Sequence, residues 1–245
     1  MTDGLLLLHA WPLDASMWEP QIEALGGATT IAAPNHPGFG GTALQGGTMT
    51  MDAAADAAAE AATQAGLDRM VVCGLSIGGY IAFSFWRRHR DRVAGFILAS
   101  TRATADDDEG RQRRIVLAER LRAEGNGFMV ENPPPLLSAD APQDLQDRVK
   151  GIIGRQPAES IAAASLGMAE RPDSTGDLAG IDVPTMIIAA EGDLLIPPQQ
   201  TKDMAAQIPN ARLESLDRAG HLSNLEAPEE FNRLIREHLE TANLD

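Results

Sequence analysis

Cysteine is almost absent from this 245-residue chain: Cys73 is the only one. No intrachain disulfide is possible and no cysteine-rich metal site can form, which fits a reducing compartment and leads us to expect a cytoplasmic protein. Cys73 ends a strand-like run, so it reads as a small buried hydrophobe and not as a nucleophile. Positive charge is also scarce, with 20 Lys and Arg against 35 Asp and Glu and a formal net charge of −15. That balance argues against a nucleic-acid surface or an anionic membrane as partner, and reads as an acidic, solubilising skin. Long apolar runs are missing too. "LLLLH" near the start is too short to span a membrane and has no basic residues ahead of it, so it reads as a buried strand and not a signal peptide.

What is present is a core. Hydrophobic residues make up 44% of the chain, enough for one α/β domain with an insertion and too many for a disordered segment. Short apolar runs at 4–10, 29–35, 69–74, 93–100, 184–193 and 211–217 predict strands. Amphipathic or alanine-rich stretches near 16–25, 50–65, 77–90, 199–208 and 228–240 predict helices. Their alternation implies a mainly parallel sheet flanked by helices. From about Thr101 to Asp177 the alternation fails and no strand pattern remains. This predicts a helical cap over 102–177, with the core formed by 1–101 and 178–245. The acidic run 106–109 is expected to supply first-turn carboxylates to the helix that follows.

"GLSIGG", residues 74–79, joins a strand pattern to a helix pattern through one serine. A strand that turns at once into a helix crowds its corner, and glycines two before and two after remove the side chains that would clash. The Ser76 hydroxyl then stands clear of the sheet at a helix N-terminus, where N–H groups favour developing negative charge. This is the setting of a nucleophile, which needs a base. Of five histidines, His89 reads as a solvated helix end, His238 as surface, and His36 as part of a Gly-Pro loop. His9 ends the first strand. His221 lies on a loop between the last strand and the last helix, at the carboxyl edge of the sheet where sites form, and is the expected base. Asp193, just past a strand, is the expected orienting acid, with Glu191 as its rival. For a developing oxyanion, the N–H of Ile77 and the N–H of Trp11 in "HAWPLD" are the expected donors.

The chain resembles the α/β-hydrolase superfamily over nearly its whole length. "LLLLHAWPLDASMW", "NHPGFGGT", "GLSIGGYIA", "LASTRATADDDEGRQRR" and "GHLSNLEAPEEFN" are similar to the small bacterial branch of carboxylesterase-like, 3-oxoadipate enol-lactonase-like and cofactor-free haloperoxidase-like hydrolases. The resemblance implies an α/β-hydrolase fold, the roles given above to Ser76, Asp193, His221, Trp11 and Ile77, and hydrolysis of a small ester through an acyl-enzyme without metal or cofactor. Relatives usually read His-Gly where this chain has His9-Ala10. The chain also starts at the strand that is normally third, so the usual N-terminal hairpin is expected to be missing and six strands to remain. His9, Arg102, Phe128, Met129 and Leu137 are the expected substrate-binding residues. An enol-lactone bearing carboxylates is the closest alternative substrate, with Arg102 as its counter-ion. Perhydrolysis, suggested by the Trp11-Pro12 pair, is expected only as a side reaction. A non-catalytic receptor-like module is disfavoured by the complete serine, aspartate and histidine set, and serine at position 76 excludes the aspartate-dependent branches.

Overall fold

In the computed structural model, which describes residues 3–242, six strands form one sheet. They are β1 (Asp3–Leu8), β2 (Thr30–Ala32), β3 (Arg69–Leu75), β4 (Val93–Ala99), β5 (Thr185–Ala190) and β6 (Arg212–Leu216). All neighbours run parallel, in the order β2-β1-β3-β4-β5-β6. The strands at the centre are buried on both faces, β4 and β5 along their whole length, as continuous apolar runs require when helices cover both sides. The edges are shorter or wetter. β2 has three residues, and the chain soon meets Pro34, which has no N–H to extend a ladder. β6 is mostly exposed.

Six helices belong to the core: α1 (Glu19–Leu25), α2 (Met51–Gln64), α3 (Ile77–His89), α9 (Pro198–Ala205), α10 (Ser223–Glu226) and α11 (Pro228–Thr241). Helix α2 buries Ala54, Ala55, Ala58, Ala59 and Ala62. These small residues at helical spacing form a flat face that lets α2 lie close to α3. Its start is set by Thr50, whose side chain accepts from the Ala53 N–H at 3.1 Å. Helix α11 buries Phe231, Leu234, Ile235 and His238 along one face. His238 is therefore not the surface residue its late position suggested: it is 3% exposed. His89 is also better held than expected, half-buried with Nε2 2.9 Å from Asp56 Oδ1.

The chain leaves β1 for β2 on one side and returns to β3 on the other. Loops after β1 and β3 diverge there and open a crevice at the carboxyl ends of the strands. Between β4 and β5 the chain makes no strand. It passes through α4 (Asp108–Glu124), α5 (Gly127–Glu131), α6 (Gln143–Gly154), α7 (Ala158–Glu170) and α8 (Thr175–Leu178). Helix α4 packs on α7, and α5 on α6. The acidic run before α4 divides its labour differently from expectation. Asp107 caps the helix by accepting from the Gly110 N–H at 2.7 Å, and Asp108 and Glu109 lie in the first turn. Asp106 turns inward instead. It is 5% exposed and ion-pairs with Arg102, Arg114 and Arg171.

Candidate active site

Ser76 occupies the corner between β3 and α3 with φ 60° and ψ −118°. A positive φ is strained for any residue but glycine, by about 1–3 kcal/mol, so the surroundings must impose it. Three hydrogen bonds do so. The Ser76 N–H donates to Ala99 O at 3.0 Å, while Ser76 O accepts from the Gly79 N–H at 2.9 Å and from Thr101 Oγ1 at 2.8 Å. Neighbouring backbone fills the space where side chains would otherwise stand. A Cβ at Gly74 would collide with the Gly78 carbonyl, and one at Gly78 with the carbonyl of Leu8 in β1. The glycines are thus required by close approach, as the sequence pattern implied. The side chain of Ser76, alone in an otherwise buried corner, retains solvent access.

The loops after β5 and β6 meet the same edge. Backbone hydrogen bonds tie the two loops together: Glu191 N–H to Leu216 O at 3.1 Å, and Gly192 N–H to Ala219 O at 2.9 Å. This lacing brings Asp193 to His221. His221 Nδ1 lies 2.8 Å from Asp193 Oδ2, and both side chains are almost wholly buried, 2% and 1% exposed. The other carboxylate oxygen accepts from the N–H groups of Leu195 and Ile196, each at 2.9 Å. Those bonds orient the carboxylate, which in turn fixes the ring so that Nε2 is the nitrogen left to accept a proton. Glu191 points elsewhere, into an ion pair with Lys202 at 2.7 Å. The two rival acids are separated by burial: the inward one meets the imidazole, the outward one a lysine.

Ile77 opens α3, and its N–H, like those of any first helical turn, has no acceptor within the helix. Trp11 follows β1 in a loop whose shape is set by a stacked histidine pair. The rings of His9 and His36 lie 3.7 Å apart at 25°. The His36 N–H donates to His9 Nε2 at 3.0 Å, and His36 Nε2–H donates to His9 O at 2.9 Å. Burial pushes the His9 pKa down to about 4 and that of His36 well below the ordinary imidazole value, so both are neutral at pH 7. The Trp11 indole reaches across to donate to Ile161 O of α7 at 3.1 Å, which links this loop to the helical insertion. Its peptide bond to Pro12 is cis.

An alpha/beta hydrolase fold model matches residues 4–228. The chain belongs to that family. This alpha/beta hydrolase is 39% identical to a thermophilic esterase from Thermogutta terrifontis, across 99% of this chain and 90% of the other, with a TM-score of 0.94. It is 25% identical to an enol-lactonase from Burkholderia xenovorans LB400, covering 98% of this chain and 92% of that one, with a TM-score of 0.89. A pimeloyl-[acyl-carrier protein] methyl ester esterase from Aromatoleum aromaticum is 27% identical over 95% of this chain and 96% of its own length.

Two of the residues expected to bind substrate are otherwise engaged in this alpha/beta hydrolase. His9 is 0% exposed, with Nδ1 3.0 Å from Ala10 O and Nε2 accepting from His36. Its imidazole shapes the loop and has no nitrogen left for a ligand. Arg102 donates Nη1 to Gln200 at 3.2 Å and pairs with Asp106, a carboxylate that it shares with Arg114 and Arg171. Phe128 lies under the Arg120 guanidinium, 3.8 Å from the ring centroid, and Met129 packs into the main apolar cluster. Leu137 is different. Gly220, the residue before His221, lies so close to the backbone of Leu137 and Ser138 that a Cβ there would collide with both. On the other side of His221, the Leu222 N–H donates to Leu136 O at 2.9 Å.

Glu226 secures that contact and was not singled out in the sequence. Its carboxylate accepts from the Ser138 N–H at 3.0 Å and the Gly220 N–H at 2.8 Å. The motif "GHLSNLEAP" contains Glu226, but only the fold reveals its partner 88 residues away. Asp14 is a second such residue. It caps the turn Ala15–Trp18 and meets Gln156 at 2.7 Å and Arg155 at 3.0 Å. Burial would raise its pKa, but the hydrogen bonds from Arg155, Ser16 and Gln156 outweigh it and bring the value down to about 2. Cys73 is wholly buried and burial pushes its thiol far up, out of the range of thiolate chemistry.

Proposed function

We propose that this alpha/beta hydrolase cleaves small carboxylic esters through an acyl-enzyme. The observation that carries the reading is the strained Ser76 at the start of α3, at the same sheet edge as the buried His221–Asp193 pair. Ser76 Oγ attacks the ester carbonyl while His221 Nε2 takes its proton. Asp193 holds the ring and stabilises the imidazolium. The N–H groups of Ile77 and Trp11 receive the oxyanion, where one such donor is typically worth ~10²–10³ in turnover. His221 then protonates the leaving alcohol, and water repeats the sequence on the acyl group to restore Ser76. The helical insertion, 102–177, serves as the cap over this site. The substrate is a small molecule, and the enzyme works in the cytoplasm, as the lone buried thiol suggests; no helix among the described residues is long and apolar enough to cross a membrane.

The esterase relatives favour this reading. Ser76→Ala tests it directly: turnover of p-nitrophenyl acetate should fall by about 10⁶-fold in folded protein. Retention of full activity would move the nucleophile elsewhere. A large preference for 3-oxoadipate enol-lactone over p-nitrophenyl acetate would replace the ester with the lactone.

A further inference from the structure

Close approach of backbone accounts for Gly74 and Gly78 at the serine corner but leaves Gly79 without a task. A Cβ at Gly79 would overlap the side chain of Thr101, at both Oγ1 and Cγ2. The small residue therefore makes room for Thr101, which is wholly buried and reaches in from just past β4. Thr101 Oγ1 donates to Ser76 O at 2.8 Å, and the Gly79 N–H donates to the same oxygen at 2.9 Å.

Thr101 is itself held from two further sides. Its carbonyl accepts from Thr201 Oγ1 of α9 at 3.1 Å. The residue before it, Ser100, donates its N–H to Ile188 O of β5 at 3.1 Å. Ser100 has a φ of 45°, a backbone conformation that persists only where the surroundings impose it. Strand β5 and helix α9 flank the loop that carries Asp193. The hydroxyl on the nucleophile corner thus hangs from the two elements on either side of the acid.

What this grip controls follows from the peptide unit. The bond between Ser76 and Ile77 is trans, so the Ser76 carbonyl and the Ile77 N–H lie in one plane and point in opposite directions. A donor fixed on one side of that plane fixes the aim of the N–H on the other. Two donors on one carbonyl also polarise the unit and strengthen its N–H as a donor.

We propose that Thr101 is a positioning residue for the oxyanion: by holding the Ser76 carbonyl, it aims the Ile77 N–H at the charge that forms on the substrate. The inference rests on the ester reading and adds to it a residue that acts only through the peptide it holds.

Thr101→Val keeps the shape of the side chain and removes the donor. In folded protein, kcat for p-nitrophenyl butyrate should fall about tenfold, less than the ~10²–10³ that loss of a whole oxyanion donor costs, with KM within about twofold. Thr101→Ser, which keeps the hydroxyl, should stay within about threefold of the wild-type kcat. Trifluoromethyl butyl ketone, whose tetrahedral adduct with Ser76 bears an oxyanion, should bind Thr101→Val about tenfold more weakly. The acid limb of the kcat/KM profile, set by His221, should not move. Gly79→Ala crowds the same hydroxyl from the opposite side and should reproduce the losses in kcat and ketone binding. Wild-type kcat in Thr101→Val or Gly79→Ala, equal losses in Thr101→Val and Thr101→Ser, or a shifted acid limb with undiminished ketone binding would each overturn the inference. Ser76→Ala, run alongside, keeps two failures apart. Activity surviving there removes the ester mechanism, whereas an inactive Ser76→Ala with an indifferent Thr101→Val removes only the role of Thr101.

Discussion

Strands β4 and β5 bury every side chain they have, and β1 and β3 all but their first, whereas the 17-residue α4 of the insertion buries only Gly110, Ala118 and Leu121. The faces of the sheet are held by apolar contact, which is non-directional and scales with the area buried. The insertion adds charge to apolar packing: α7 buries Ile161, Ala162, Ala163, Ala164 and Met168 in the same apolar cluster as the sheet, while Asp106 meets Arg102, Arg114 and Arg171, and Asp14 meets Arg155. The proposed chemistry stands on the first kind of scaffold. The surface that would meet the rest of the substrate stands on the second. A rigid edge can thus keep one reaction while the piece above it varies.

The sharpest contrast is between the two acids of the β5 loop. Asp193→Asn should lower kcat by about 10⁴-fold, because the wrong ring tautomer is then favoured, while Glu191→Gln should stay within about twofold. A second large effect should fall on the insertion. Asp106→Asn leaves three arginines around a neutral amide, and removing one partner of a buried ion cluster costs about 3–5 kcal/mol. Thermal unfolding should reveal it as a lowered Tm. An unchanged Tm would mean that apolar packing holds the insertion after all.

Acid should separate the regions by pH. His9 and His238 are kept neutral by burial, each with its pKa lowered to about 4, and burial also holds His36 well below the ordinary imidazole value. The unfolded chain binds these protons below pH ~6.5 and the native one does not, so stability falls as pH drops from about 6.5 towards 4, by up to ~3 kcal/mol for each such group. Asp14 and Asp106 act in a lower window. Burial opposes their ionisation, but arginine hydrogen bonds hold both below the usual carboxylate range. Their contribution is present above pH ~4 and is lost as pH falls further. Urea unfolding at pH 7 and 4.5 should show the histidine part, and His238→Gln should flatten it. The smallest effect is expected at the rim: Arg122→Ala removes an exposed pair with Glu159 and should cost less than about 1 kcal/mol.

Local signals carried much of this into the sequence. The six strands, the strand-free stretch after β4 and the Gly74-Ser76-Gly78 corner rest on periodicity and steric need, which neighbouring residues decide. The partners of charged groups do not. Nothing near Asp106 distinguishes it from Asp107 and Asp108, yet one is buried among arginines, one caps a helix and one is exposed. His9 and Arg102 were expected at the substrate because of where they fall in the chain; His36, 27 residues on, takes up His9, while Arg102 meets Asp106 four residues on and Gln200 across the fold. Glu226 was invisible for the same reason, since its acceptor role depends on a segment folded back from the insertion.

Mass spectrometry of the enzyme after reaction with a fluorophosphonate probe bears most directly on the site. One adduct is expected, on Ser76, formed rapidly by the wild type and hardly at all by His221→Ala. Rapid labelling of a different side chain, or equal labelling of Ser76 once the imidazole is gone, would contradict the mechanism.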